Sequence, residues 1–288
     1  MPFLSKFSST ALLFPTMLML GVVLGIPLYY LLNFSTLTGD FMLQDVTGPT
    51  ISNYSDLLTD GFFLGIAGRT FVISFCVTVV ALVLGFPLAS LMSRAPAAWR
   101  SPIAIVVLSP LLVSMVASSY GWIVILGNNG VINNALMGLG LIRAPIRLLY
   151  TDFAIGVGLV HIVLPFMVLS LVAALDRIEP AISEAASTLG ANRARVWWHI
   201  LLPLCVPGIG AGVTLCFSLS ISAYVTPAVL GPSGPNFITT LIYQNFVNLY
   251  EWGTGSAMAF LLLLVAAAVV LGLGTLTTLL SPAQRRPQ

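Results

Sequence analysis

An all-helical membrane protein with six transmembrane helices is the fold class this sequence predicts, and three observations carry it. Of its 288 residues, 58% are hydrophobic and only 7% charged, whereas a soluble domain carries about a quarter charged residues; mean hydropathy is +1.03. Windows free of Lys, Arg, Asp and Glu run over 7–39, 70–93, 101–142, 153–175, 196–250 and 252–284, and each can hold the roughly 20 apolar residues that cross the hydrocarbon. These runs are apolar on every face, while barrel strands are shorter and alternate apolar with polar residues.

The spans are expected near 11–32, 70–92, 102–126, 153–175, 206–229 and 255–279, within one transmembrane domain covering 1–288. The first follows Lys6 as a secretory signal would. Its apolar run is too long for one, however, and it ends in PLYYLLNFS without a small-residue cleavage site, so it reads as a retained span. The window 196–250 could hold two spans, but its second part, GPSGPNFITTLIYQNFVNLY, opens with two Gly-Pro pairs and stays polar. It reads as an external loop with a short helix.

Six spans put both termini on one side. Lys6, Arg94, Arg100, Arg177, Arg193, Arg195, Arg285 and Arg286 lie on that side, against Arg69, Arg143 and Arg147 on the other. The positive-inside rule then places both termini in the cytoplasm. The net charge of +2 thus reflects topology, and no basic patch interleaved with aromatics points to nucleic acid. Cys76, Cys205 and Cys216 lie in or beside spans without a CxxC pattern or ligand cluster, which argues against a disulfide framework and a metal site.

The chain is nearly all hydrocarbon except at SEAASTLGANRARVWWHILLPL, in the longest cytoplasmic connection, about 180–203. Pro180 suits a first helical turn, Glu184 lies towards the positive end of the helix dipole, and Arg193 and Arg195 lie towards the other. Gly190 interrupts the helix at a cost of about 1 kcal/mol relative to alanine, so two helices meeting at a corner are expected. Ala185, Ala186 and Gly190 would let another backbone approach, Glu184 offers a charge to a partner's Arg or Lys, and Trp197 and Trp198 suit the membrane interface. Such a segment is suited to docking a cytoplasmic protein.

Glu184, Ala185, Ala186, Gly190, Ile200, Leu202 and Pro203, at these spacings, resemble the EAA signature of the membrane subunits of bacterial ABC importers. The resemblance extends along most of the chain and is strongest to the spermidine/putrescine-type permeases, through ISNYSDLL, GWIVILGNNGVINNALMGLGLI, LPFMVLSLVAALDRIEPAISEAASTLGA, LPLCVPGIGAGVTLCFSLSISAYVTPAVLG and WGTGSAMAFLLLL. It departs from the family's pattern before Tyr120, where Ala117, Ser118 and Ser119 replace an expected Arg and Thr.

The resemblance implies a type I ABC importer permease fold in the bacterial inner membrane, with 180–203 forming a coupling helix in a cleft of the ATPase subunit. It implies three protein partners: an ATPase dimer, a second permease in a heterodimer, and an extracytoplasmic solute-binding protein. Transport would proceed by alternating access, with hydrolysis on the separate ATPase. This chain has no GxxxxGK[ST] segment and no nucleophile constellation, so no catalytic residue and no cofactor is expected.

Candidates for the pathway are Tyr120, Trp122, Asn128, Asn129, Asn133, Tyr224, Thr226, Gln244 and Asn245, which put polar and aromatic groups near the outer half, and His161, ionisable inside the fourth span. Gly208 and Gly212 form a small-xxx-small pair suited to tight helix packing or a dimer contact, and Gly21 and Gly25 repeat it. A polyamine is the leading solute that the resemblance implies; an opine, an aminophosphonate or another small amine is the alternative within the subgroup. A cation would favour acidic or aromatic linings, yet no Asp or Glu lies within the six spans. An ATP-independent channel or ion-coupled carrier is the alternative of another class; it would call for charges inside spans or broken helices in matching halves.

Overall fold

In lipid every backbone N–H and C=O must find its partner within the segment, and a helix satisfies all of them locally. The computed structural model, which describes residues 3–40 and 45–280, is helical through most of its length. Its long helices are α1 (Phe3–Ser35), α3 (Gly61–Arg94), α7 (Asp152–Leu175) and α14 (Trp252–Leu280). Between them lie α2 (Ser52–Thr59), α4 (Ala97–Leu112), α5 (Met115–Leu126), α6 (Val131–Gly138), α8 (Pro180–Thr188), α9 (Arg193–Val196), α10 (Leu202–Leu204), α11 (Val206–Ile221), α12 (Val225–Leu230) and α13 (Ile238–Gln244). Among the described residues five helical stretches are long and apolar enough to cross a membrane, and the pair Trp197–Leu204 and Val206–Ile221, bent by 63°, makes a sixth.

The third span differs from expectation. The run predicted over 102–126 is broken at Val113 and Ser114, which take extended backbone with ψ of 137° and 136°, and the long apolar stretch there is Met115–Gly138. Pro110 prepares the break, because a proline at that position cannot bond the carbonyl four residues earlier. The Ser109 hydroxyl takes that carbonyl instead, donating to Val106 O at 2.8 Å. The fifth span is likewise interrupted, with α11 ending at Ile221 and α12 starting at Val225.

Two compact units emerge: Met1–Leu64 with Leu241–Leu264, and Gly65–Thr240 with Val265–Gln288. In the larger, α7 supplies the centre. Ile155, Leu159, Val163, Met167, Val168 and Leu171 are buried, and they pack with Ile73, Val77, Ala81 and Ala89 of α3 and Cys216 of α11. The i, i+4 spacing along α7 and α3 aligns these side chains into facing stripes.

The smaller unit buries Leu57, Phe63, Ala257 and Met258 and is laced by polar contacts. An antiparallel pair of three-residue strands, β1 (Thr38–Asp40) and β2 (Asp45–Thr47), joins Thr38 to Thr47 and Gly39 to Val46, a pairing too short to show in periodicity. Asn53 of α2 donates through Nδ2 to Ser35 O at 2.9 Å and Leu37 O at 2.8 Å, and Tyr54 donates to Ser35 Oγ at 2.6 Å. Along α1 the large apolar side chains from Phe14 to Tyr30 are exposed, a surface suited to lipid or to another apolar helix.

Candidate functional site

The Glu-Ala-Ala segment lies on α8. The chain leaves α7 at Asp176, whose N–H bonds Val172 O at 2.8 Å, and turns through Arg177 and Ile178, which donate to Ala174 O at 3.3 Å and Leu175 O at 3.1 Å. Pro180 then opens α8, where its fixed φ favours the first turn and its missing N–H goes unused.

Gly190 stands just past the end of α8 with φ +84°, and the Ala191 N–H reaches back to Ala186 O at 3.1 Å. This is a Schellman ending, which needs a left-handed residue that glycine supplies without strain. Among the described residues, none beyond its two neighbours in the chain comes within 4 Å of where a Cβ on Gly190 would stand, so conformation is what selects glycine there. Asn192 begins the next helix by accepting from Arg195 N at 2.8 Å, a side-chain N-cap. The expected corner is thus a C-cap and an N-cap two residues apart. The side chains of Glu184 and Arg193 lie outside the described part of the structure, as do Arg285 and Arg286.

Beyond the corner the chain packs back against the helices of the larger unit. Val196 and Leu201 are buried, and Trp197 packs edge-on against Phe86 with ring centroids 4.5 Å apart. Residues Trp197–Leu201 form a π-helical turn, adjoining Pro203, which lacks the N–H a regular helix would use. Ile200 is half-buried and Pro203 exposed. Between these anchors α8 and Leu189 just past its end present Ile182, Ala185, Ala186 and Leu189 at i, i+3, i+4 and i+7, one face of a helix; Leu189 is 89% exposed, and only Ala186 is half-buried. The Glu-Ala-Ala pattern marks the two alanines alone; the helical spacing adds Ile182 and Leu189 to the same face.

The pathway candidates separate into distinct groups. Trp122 and His161 meet edge to face at 5.7 Å beside an apolar cavity of about 700 Å3 lined by α3, α5 and α7. His161 Nδ1 is buried and has no hydrogen-bond partner among the described residues. Asp152 also borders this cavity and is paired with Arg69, whose Nε donates at 2.9 Å. Tyr120, Asn128, Asn129 and Tyr224 are exposed.

Asn133 is fully buried, donating to Gly127 O at 3.1 Å and Ile146 O at 3.0 Å and accepting from Ile146 N at 2.9 Å. Its amide thereby closes the loop after α6. Thr226 is buried against Gly158 of α7, where an added Cβ would come 2.7 Å from its Cγ2. In the smaller unit, Gln244 is half-buried and Asn245 is buried, donating to Leu241 O at 2.9 Å.

This fold is that of the transmembrane subunits of ABC importers. The structure superposes on a bacterial ABC transporter solved in complex with an alginate-pentasaccharide-bound periplasmic protein with TM-score 0.73 and 19% identity, covering 96% of each chain. No protein-family model matches the chain. In sequence it is 31% identical over 221 residues to the spermidine/putrescine transport system permease protein PotB of Haemophilus influenzae, covering 77% of each. It is also 30% identical over 217 residues to the inner membrane ABC transporter permease protein YdcU of Escherichia coli, covering 71% of this chain and 69% of that protein. The chain therefore belongs to the family of ABC importer permease proteins that these relatives represent, and it is a multi-pass membrane transport subunit.

Proposed function

We propose that this permease subunit imports a small organic cation of the polyamine class by alternating access, driven by a separate ATPase dimer that grips α8. The observation that carries the ATPase contact is the apolar face on the signature-bearing helix, where Ile182, Ala185 and Leu189 are exposed beside half-buried Ala186. Exposed apolar side chains on a short helix between two membrane-anchored ends are what a cleft in a cytoplasmic partner would cover. Glu184, Gly190, Ile200 and Pro203 complete the coupling set: one charge, one left-handed glycine, and two residues on the return path.

The polyamine reading draws on relatives named as spermidine/putrescine transport proteins. Trp122, His161 and Tyr120 are proposed to line the pathway with Asn128 and Tyr224, aromatic faces attracting the cation; Gln244 is the candidate from the smaller unit. A second permease would complete the pathway, a solute-binding protein would deliver the solute, and both termini would face the cytoplasm of the inner membrane. An opine, aminophosphonate or other small amine is the second reading. It is favoured by the pairing of Asp152, the one carboxylate among the described residues bordering the Trp122–His161 cavity, with Arg69.

Co-expression with candidate ATPase and permease partners, followed by reconstitution into liposomes, tests this reading. An ATPase is expected to co-purify, and radiolabelled spermidine supplied with the cognate binding protein is expected to enter only with ATP. Uptake without ATP would overturn the ABC mechanism; ATP-driven uptake of another amine but not spermidine would overturn the polyamine assignment alone.

A further inference from the structure

A carboxylate stands where elementary electrostatics would put a base. Asp176 caps the C-terminal end of α7, the negative pole of the helix dipole, which favours cations. What it gains lies on two other helices. Its Oδ1 accepts from Ser93 Oγ of α3 at 2.6 Å, and its Oδ2 is ion-paired with Arg100 of α4. One side chain therefore ties α3, α4 and α7 at a single level. Because both partners are well exposed, at 46% for Arg100 and 39% for Asp176, the pair adds little to static stability. Its value is geometric.

The place of that tie matters. Only Arg177, Ile178 and Glu179 separate Asp176 from Pro180, and the turn is closed by backbone bonds from Ile178 N to Leu175 O at 3.1 Å and from Ile182 N to Glu179 O at 3.1 Å, leaving little slack between α8 and the carboxylate. At the opposite ends of the same two helices, Arg69 of α3 pairs with Asp152 of α7. Ser93–Asp176 and Arg69–Asp152 share the same separation of 83 residues. α3 and α7 therefore run in parallel and in one register between these two ties.

We propose that Asp176 is a positioning residue that carries displacement of α8 into α3 and α4, so that the three helices move as one body. Covalent connection alone would deliver that displacement only to α7 and α11. The inference rests on reading α8 as the ATPase-docking helix.

The test uses the assembled importer in nanodiscs, in a Cys76→Ser background, with an environment-sensitive fluorophore on Trp99→Cys in α4 or on Leu189→Cys at the end of α8. ATP with vanadate is expected to shift both reporters in the parent protein. In Asp176→Ala the Trp99 signal should fall at least fivefold while the Leu189 signal persists. The double variant Ser93→Ala/Arg100→Ala removes the same contacts and should behave alike if Asp176→Ala fails to assemble. The swap Asp176→Arg/Arg100→Asp should recover at least half of the Trp99 response. A Trp99 response that is absent in the parent, unchanged in the variants, or unrecovered by the swap overturns the proposal. Failure of the α8 reading has a different signature: no ATPase co-purifies and the Leu189 reporter is silent.

Discussion

Gly208 of α11 lies directly against Ala174 of α7: a Cβ built on Gly208 would overlap the Ala174 methyl and come 3.0 Å from Ser170 O. Gly212, one turn on, would bring a Cβ to 2.7 Å from Met167 Sδ. The small-xxx-small pair is therefore spent within the chain, on the approach of α11 to the central helix. Gly208→Val is expected to destabilise the subunit by about 1–3 kcal/mol through overpacking, read as a lower midpoint of thermal unfolding in detergent. Gly25→Ala is the contrast. Among the described residues, none outside its own stretch of helix comes within 4 Å of a Cβ there, so the substitution should be neutral or stabilise α1 by up to about 1 kcal/mol through helix propensity.

At Gly190 the constraint is the backbone. With φ at +84° and open space around the Cβ position, Gly190→Val should cost about 1–2 kcal/mol locally and release the Schellman ending, turning α9 away from its place. Gly190→Asn, which tolerates left-handed backbone, should lose less. ATP hydrolysis stimulated by solute-loaded binding protein should rise in the order Val, Asn, wild type. Equal activities would remove the geometric role of this residue.

Asn133 offers a test of a structural rather than a transport role. Asn133→Leu strands the Ile146 N–H and the Ile146 carbonyl, while Gly127 O keeps its bond from Gly130 N at 2.8 Å; an unsatisfied group away from water costs about 1–3 kcal/mol. Lower expression and a lower unfolding midpoint are expected. Asn128→Ala, at an exposed position, should change stability by no more than about 0.5 kcal/mol, so any loss of uptake there would report on the pathway.

Arg69 and Asp152 are 33% and 54% exposed, so the pair should contribute less than about 1 kcal/mol to stability and weaken with salt. Arg69→Ala and Asp152→Asn should each lower the unfolding midpoint slightly at low ionic strength, with the difference vanishing at high salt. An effect insensitive to salt would point to packing in place of charge.

The orientation of the corner has a direct readout. Leu189, 89% exposed, replaced by Cys in a Cys76→Ser background, should react with a membrane-impermeant maleimide in inside-out vesicles and not in right-side-out ones. The reverse pattern would place α8 outside the cell and remove the ATPase from the mechanism.

Much of this protein follows from local sequence alone. Long uncharged runs have one low-energy form in lipid, so the helical class and the positions of most spans are legible without partners. The two-helix corner is legible too, since Gly190 and Asn192 carry their caps within a few residues of chain. What only the tertiary structure decided involves groups far apart along the chain. Ser93 and Asp176 give no signal of pairing across 83 residues. Asn133 reads as a polar candidate until its bonds to Gly127 and Ile146 absorb it. The break at Val113 and Ser114 depends on which carbonyls find other donors, as Val106 O finds Ser109. Periodicity records which face of a segment is apolar; which neighbour meets that face, and which polar group is already satisfied, is settled only when α7 is enclosed by α3, α4 and α11.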